Sequence, residues 1–117
     1  MTGDDARVAW LDWLARERRA SANTLEAYGR DAAEFLGFLT RHLGGEPDIA
    51  ALGTLRAADL RGFLAERANE GDSNATRARR LAAIRGFLRY LTRHHGLAPL
   101  PLGAIRGPRP KAPIPRA

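Results

Sequence analysis

Apolar side chains recur at Leu25, Tyr28, Ala32, Phe35, Leu36, Leu39 and Leu43, three and four residues apart, which is the spacing of one buried face of a long α-helix. Asn23, Ala27, Arg30, Glu34 and Arg41 fall on the opposite side. Asn23 is placed to cap this helix, with Glu26 three residues on to reach back as in a capping box. Gly44, Gly45 and Pro47 end it.

Three further stretches carry the same period. Residues 4–19 open on Asp4 and Asp5 and close on Arg16, Arg18 and Arg19, the charge order that complements a helix dipole. Val8, Leu11, Leu14 and Ala15 fall on one side of it with Trp10 at the edge; Trp10 is expected in the core and Trp13 as an exposed partner contact. A loop is expected over 44–54. A third helix is predicted over 56–70, burying Leu60, Phe63 and Leu64 and ending at Gly71. A fourth is predicted over 75–95, capped by Ser73 or Asn74, burying Leu81, Ile84, Phe87, Leu88 and Leu91, with Gly96 as the residue that turns the chain out. No internal repeat and no strand pattern is found. Every proline except Pro47 lies at or beyond Pro99, so the end of the chain reads as an extended linker with a short turn near 102–105. The 117 residues are enough for one core: residues 1–97 read as one helical domain and 98–117 as a basic, proline-rich linker.

Charge divides unevenly. Residues 1–72 hold nine arginines and all thirteen carboxylate side chains, whereas residues 73–117 hold ten lysines or arginines and no carboxylate. An exclusively cationic segment calls for a polyanionic partner or extensive solvation, and double-stranded DNA is the first candidate partner. With no cysteine, disulfides and thiolate metal sites are excluded. No apolar run approaches the roughly 18 residues that cross a bilayer, and the acidic start is unlike a signal peptide, so the expected compartment is the cytoplasm and no membrane partner is expected. His42, His94 and His95 all fall near helix ends, where a cation complementing the dipole is the ordinary role. Neither a metal site, a cofactor motif nor a catalytic constellation is expected.

On the fourth helix Arg79, Ala82, Gly86, Arg89 and Arg93 fall opposite the apolar stripe, with Arg77, Arg80 and Arg85 on its flanks or first turns. Small residues between arginines allow close approach of the backbone, and arginine binds phosphate or forks onto guanine. A merely solvated cationic face normally carries glutamates for pairing along the helix; this helix has none. On the second helix Asn23, Thr24, Ala27 and Arg30 stand equally well for a binding surface or for capping plus an Arg30–Glu34 pair.

Two runs carry a family resemblance. Leu11-Asp12-Trp13-Leu14-Ala15-Arg16-Glu17-Arg18-Arg19-Ala20-Ser21-Ala22-Asn23-Thr24-Leu25-Glu26-Ala27-Tyr28-Gly29-Arg30-Asp31 resembles the opening of Xer-type tyrosine recombinases, where a first helix leads through Ser-x-x-Thr into a second bearing Tyr and Arg-Asp. The run from Ser73 through Thr76, Arg77, Arg79, Arg80, Ala83 and Gly86 to Leu91 resembles that family's fourth helix, and Pro110-Lys111 with Ile114-Pro115 resembles its linker. Leu100-Pro101 stands where the family has Asn-Pro. The resemblance implies an all-α, SAM-like core-binding domain of four helices in two crossed hairpins, which closes over one side of a recombination site. It implies DNA contacts from Thr24, Ala27 and Arg30 on the second helix and from Thr76, Arg77, Arg79 and Ala83 on the fourth, with Arg80 on phosphate or in a structural role. It also implies partner protomers of the same or a paralogous recombinase, and a catalytic half beyond this chain, so that this chain by itself does not cleave DNA. The competing reading is a helical protein-docking module, against which the absence of carboxylates after Asp72 weighs.

Overall fold

The computed structural model describes residues 1–100, so the turn expected over 102–105 and most of the linker expected over 98–117 lie outside the described residues. Helices follow one another as α1 (Gly3–Glu17), α2 (Ala22–Leu43), α3 (Ile49–Leu52), α4 (Ala57–Asn69) and α5 (Asn74–His94). Among the described residues there is no strand, only an isolated bridge between Thr2 and Asp48.

α2 forms where its stripe requires, but Ser21 rather than Asn23 starts it. The Ser21 hydroxyl accepts the Thr24 N–H at 3.1 Å, which leaves Asn23 inside the first turn and Glu26 outside any capping box. The reciprocal box occurs instead on α1. There the Thr2 hydroxyl accepts the Asp5 N–H and the Asp5 carboxylate accepts the Thr2 N–H, both at 3.0 Å, and these bonds hold the Asp5 carboxyl below its ordinary range.

The buried face of α1 is Gly3, Ala6 and Trp10, not the stripe through Val8 and Ala15. Val8 is 55% exposed and Ala15 is exposed, while Trp10 lies at the centre of the contact. The reason is close approach: a Cβ on Gly3 would stand 2.9 Å from a Leu36 methyl and 3.0 Å from the Pro47 carbonyl oxygen. Two small residues therefore set the phase of the helix, with Trp10 buried between the hairpins, Leu11 and Leu14 packed at the edge of the core and Val8 left outside.

The expected loop over 44–54 contains α3. The Asp48 carboxylate caps it by accepting the Ala51 N–H at 2.8 Å, and Leu52 is fully buried. A single turn is too short to show a period.

α4 and α5 follow the sequence reading closely, with Leu60, Phe63, Leu64, Leu81, Ile84, Phe87, Leu88 and Leu91 all buried. α4 ends in a Schellman turn: Gly71 takes φ 99° and the Asp72 N–H returns to the Arg67 carbonyl at 3.0 Å. After α5, Gly96 takes φ 71°. The Leu97 N–H then returns to the Leu91 carbonyl at 3.2 Å, and the Leu97 side chain is buried against α3, where a Cβ on Gly53 would lie 3.2 Å from its methyl.

α1 with α2 and α4 with α5 make two hairpins, which pack on each other chiefly through α2 and α5. An internal likeness missed at the level of the whole chain underlies this arrangement. Phe35-Leu36-Gly37-Phe38-Leu39-Thr40-Arg41-His42 on α2 matches Phe87-Leu88-Arg89-Tyr90-Leu91-Thr92-Arg93-His94 on α5, and the caps Ser21 and Thr24 match Ser73 and Thr76 at the same offset. Each run packs on the first helix of the opposite hairpin. Phe35 and Phe38 meet Phe63 of α4 at ring separations of 5.3 and 5.6 Å. Phe87 meets Trp10 and Tyr90 meets Trp13 of α1, both at 5.3 Å. Trp13 is thus a half-buried packing residue rather than the exposed contact expected of it.

Candidate nucleic-acid interface

α5 begins on Ser73, whose hydroxyl accepts the Thr76 N–H at 3.1 Å and donates to the Thr76 hydroxyl at 3.0 Å. Ser21 and Thr24 repeat this geometry on α2. Neither helix has an acidic residue in its first turn, whereas α1 carries Asp4 and Asp5 there and α4 carries Asp59. The positive ends of the α2 and α5 dipoles are therefore left without carboxylates in their opening turns.

The arginines of α5 divide by partner. Arg80 is only 8% exposed and meets three carboxylates. Its Nε donates to the Asp72 carboxylate at 2.8 Å, and its Nη1 donates to Asp31 at 3.1 Å and also to Glu34. Arg67 of α4 grips Asp72 through Nε and Nη2, both at 3.1 Å, and approaches Glu34 at 3.8 Å. That grip, with the nearby charge of Arg80, holds the Asp72 carboxyl below the usual carboxylate range against the opposing effect of burial, and raises Arg67 in turn. Arg79 completes the array, its Nε 3.2 Å and its Nη2 2.9 Å from the two oxygens of Asp31. Asp31 is wholly buried, while the Arg79 side chain remains 45% exposed.

The absence of carboxylates after Asp72 thus did not leave every α5 arginine unpaired. Asp31 and Glu34 reach across from α2, and Asp72 reaches from the turn before the helix. Asp31 and Glu34 were the functional neighbours that sequence reasoning missed. The available signal was position: Asp31 stands three residues after Tyr28 and four before Phe35, at the edge of the buried stripe, where a carboxylate needs a cationic partner.

The residues expected at the interface are placed as follows. Thr24 and Thr76 are half-buried at matching caps, Ala27 is half-buried, and Arg30 is exposed with no ion pair among the described residues. Glu34, its expected mate, is turned to Arg80. Arg77 is half-buried; its Nη2 donates to the Asn74 side chain while its Nε has no acceptor. Arg79 reaches the surface from its carboxylate. One expectation is corrected: Ala83 lies in the core at 1% exposure, on the same side of α5 as Ile84 and Phe87. Arg80, expected on phosphate or in a structural role, ties α5 to α2 and to the turn before α5 in the interior.

Farther along α5, Ala82, Gly86, Arg89 and Arg93 line a groove of about 390 Å³ with Trp10, Trp13, Leu14, Arg18, Tyr28 and Tyr90. The small residues expected to admit the helix to DNA therefore also admit the rings of α1. Of the three histidines, His42 reaches Asp59 at 2.9 Å and His95 reaches the Tyr90 hydroxyl at 3.0 Å, while His94 packs on Trp13 and Tyr90. Among the described residues no group of three or more metal-ligating side chains converges, and no helix is long and apolar enough to cross a membrane.

An all-helical module with two cap-matched helices and a cationic outer face is the class that these features define. Residues 8–95 match the family model for the phage integrase N-terminal SAM-like domain, and the chain belongs to that family. It is 50% identical over 95% of its length to a protein of Mesorhizobium japonicum named tyrosine recombinase XerC, of which it covers 36%. It is 47% identical over 95% of its length to the protein of that name from Rhizobium meliloti, covering 35%, and 45% identical over 95% to that from Brucella suis, covering 35%. The chain therefore spans about a third of the length of the curated relatives it matches. No solved structure matches it.

Proposed function

We propose that this chain is the DNA-clamping module of a XerC-like site-specific recombinase, with the first halves of α2 and α5 laid against the recombination site. Thr24, Ala27 and Arg30 serve from α2; Thr76, Arg77 and Arg79 serve from α5. The observation that carries the reading is the pairing of the two helix starts. Both present the same Ser-x-x-Thr cap, neither has an acid in its first turn, and each leads into an exposed arginine, Arg30 or Arg79. Backbone N–H groups at helix starts and exposed guanidinium groups both suit phosphate and base-edge contacts. Arg89 and Arg93, exposed and without ion pairs among the described residues, extend the cationic surface.

In this reading the module binds and orients duplex DNA, strand cleavage is carried out by residues outside this chain, and the partners are other recombinase protomers, of the same or a paralogous kind. The process served is site-specific recombination in the cytoplasm, including resolution of chromosome or plasmid multimers.

A salt titration of this chain on duplex DNA tests the proposal. If about five phosphates are shielded, log K falls with log salt at a slope of roughly −4.5. Affinity that ignored salt would overturn it. Arg30→Ala is expected to make the slope shallower by about 0.9, the share of one phosphate.

A further inference from the structure

We infer that Asp31 makes Arg79 a reader of neutral base edges rather than a phosphate contact. The inference rests on the reading of α5 as a DNA-facing helix and specifies what one of its residues recognises.

Charge is the first argument. Arg67, Arg79 and Arg80 are interleaved with Asp31, Glu34 and Asp72 in one connected cluster, three cations against three carboxylates. Arg79 thus reaches the surface with its charge already matched by a fully buried carboxylate 2.9 Å away. Such a guanidinium attracts a phosphate less than an unpaired one does, because the Asp31 charge repels the phosphate across the same group.

Hydrogen-bonding geometry is the second. Asp31 occupies the Nε and Nη2 edge of Arg79. A guanidinium has a second fork, made by Nη1 and the outer proton of Nη2, and Asp31 leaves it unused. That fork spans two parallel acceptors, and guanine presents such a pair, uncharged, in O6 and N7.

Order is the third. An unanchored arginine loses rotamer entropy on being fixed. Here the fixing is done by folding. Asp31 is itself held by Arg80, Arg80 by Asp72, and Asp72 by Arg67, so the fork is aimed before any ligand arrives. Asp31 is therefore a positioning residue that acts through Arg79.

The test uses this chain and a pool of randomised duplexes, followed by salt titrations on the recovered consensus and its single-base-pair variants. Arg79→Ala is expected to lose roughly 5- to 100-fold of discrimination at one G·C pair while the salt slope stays unchanged. Asp31→Asn, checked for folding by its melting curve, is expected to lose discrimination at the same pair. Its slope is expected to steepen by about 0.9, because a released Arg79 can engage phosphate. A merely structural carboxylate would weaken binding to all sequences alike. If Arg79→Ala makes the slope shallower by about 0.9 and leaves discrimination intact, Arg79 is a phosphate contact and the inference is overturned while DNA binding stands. A folded Asp31→Asn that keeps both discrimination and slope overturns it too. If Arg79→Ala changes neither quantity, the DNA-facing reading of α5 itself fails. Should Asp31→Asn not fold, the Arg79→Ala slope still decides.

Discussion

α2 and α5 end alike and differ in the middle. Both open on a serine whose hydroxyl serves a threonine three residues on. Both close on a Phe-Leu-x-aromatic-Leu-Thr-Arg-His run in which the threonine hydroxyl donates to the carbonyl four residues back, at 2.8 Å from Thr40 and 3.1 Å from Thr92. The aromatic residue of each run meets its histidine one turn on, at ring separations of 5.1 and 5.0 Å. Between these ends α2 places Asp31 and Glu34 where α5 places Ala83 and Gly86, and α5 places Arg79 and Arg80 where α2 has Ala27 and Tyr28. The matched ends dock each helix on the opposite hairpin. The unmatched middles bring acid to base across the helix crossing and leave the surplus cations outward. One pattern of ends can therefore build the fold while the middles are free to carry binding.

The largest expected effects test the equivalence of the ends. Phe35→Ala and Phe87→Ala each remove a fully buried ring and are expected to cost about 3–5 kcal/mol, by chemical denaturation. A large loss from one with little from the other would break the likeness. In the middles, Arg80→Ala takes one of two cationic partners from each of Asp31, Glu34 and Asp72, which keep Arg79 or Arg67, and is expected to cost about 3 kcal/mol, by the same denaturation.

Asp72→Asn removes one ionic partner and is expected to cost about 1.5–3 kcal/mol near neutral pH. Because the folded carboxyl titrates below its ordinary value, its stabilisation is present above the unfolded pKa near 3.9 and is lost as pH falls through the lower, folded value. Stability measured from pH 5 downward should therefore fall less steeply in Asp72→Asn than in the parent. The smallest effects concern the caps: Ser21→Ala and Ser73→Ala should each cost about 1 kcal/mol, read as shifts in melting temperature, and a clear inequality between them would show that one cap has a second task.

The long helices were legible in the sequence because their stripes repeat over many turns: α4 and α5 bury every apolar residue read from spacing, α5 adding Ala83 and Tyr90, while α2 buries the middle of its stripe, adds Phe38, and leaves Leu25 and Tyr28 half-buried and Leu43 45% exposed. The misreadings share a cause. α1 was turned to the wrong phase because Gly3 and Ala6, which seat it, carry almost no hydrophobic signal. α3 is one turn long, and Ser21 lay just ahead of an equally plausible cap at Asn23. At the interface, the cations of α5 were visible in the sequence, but their partners were not, since Asp31 and Glu34 stand more than forty residues away along the chain. Tertiary pairing decides which arginine is a tie and which is a contact, and local spacing carries no record of it.

Leu97 gives the module a mechanical property. Its backbone folds back onto Leu91 and its side chain is seated beside Gly53 on α3, so a pull arriving from the C-terminal side meets this plug before it meets the last hydrogen bonds of α5. The exit is thus fastened twice, to the last turn of α5 through the Leu91 carbonyl and to the segment around α3 through the buried Leu97 side chain, and that segment is tied to the start of α1 by the Gly3 N–H on the Pro47 carbonyl, at 2.8 Å.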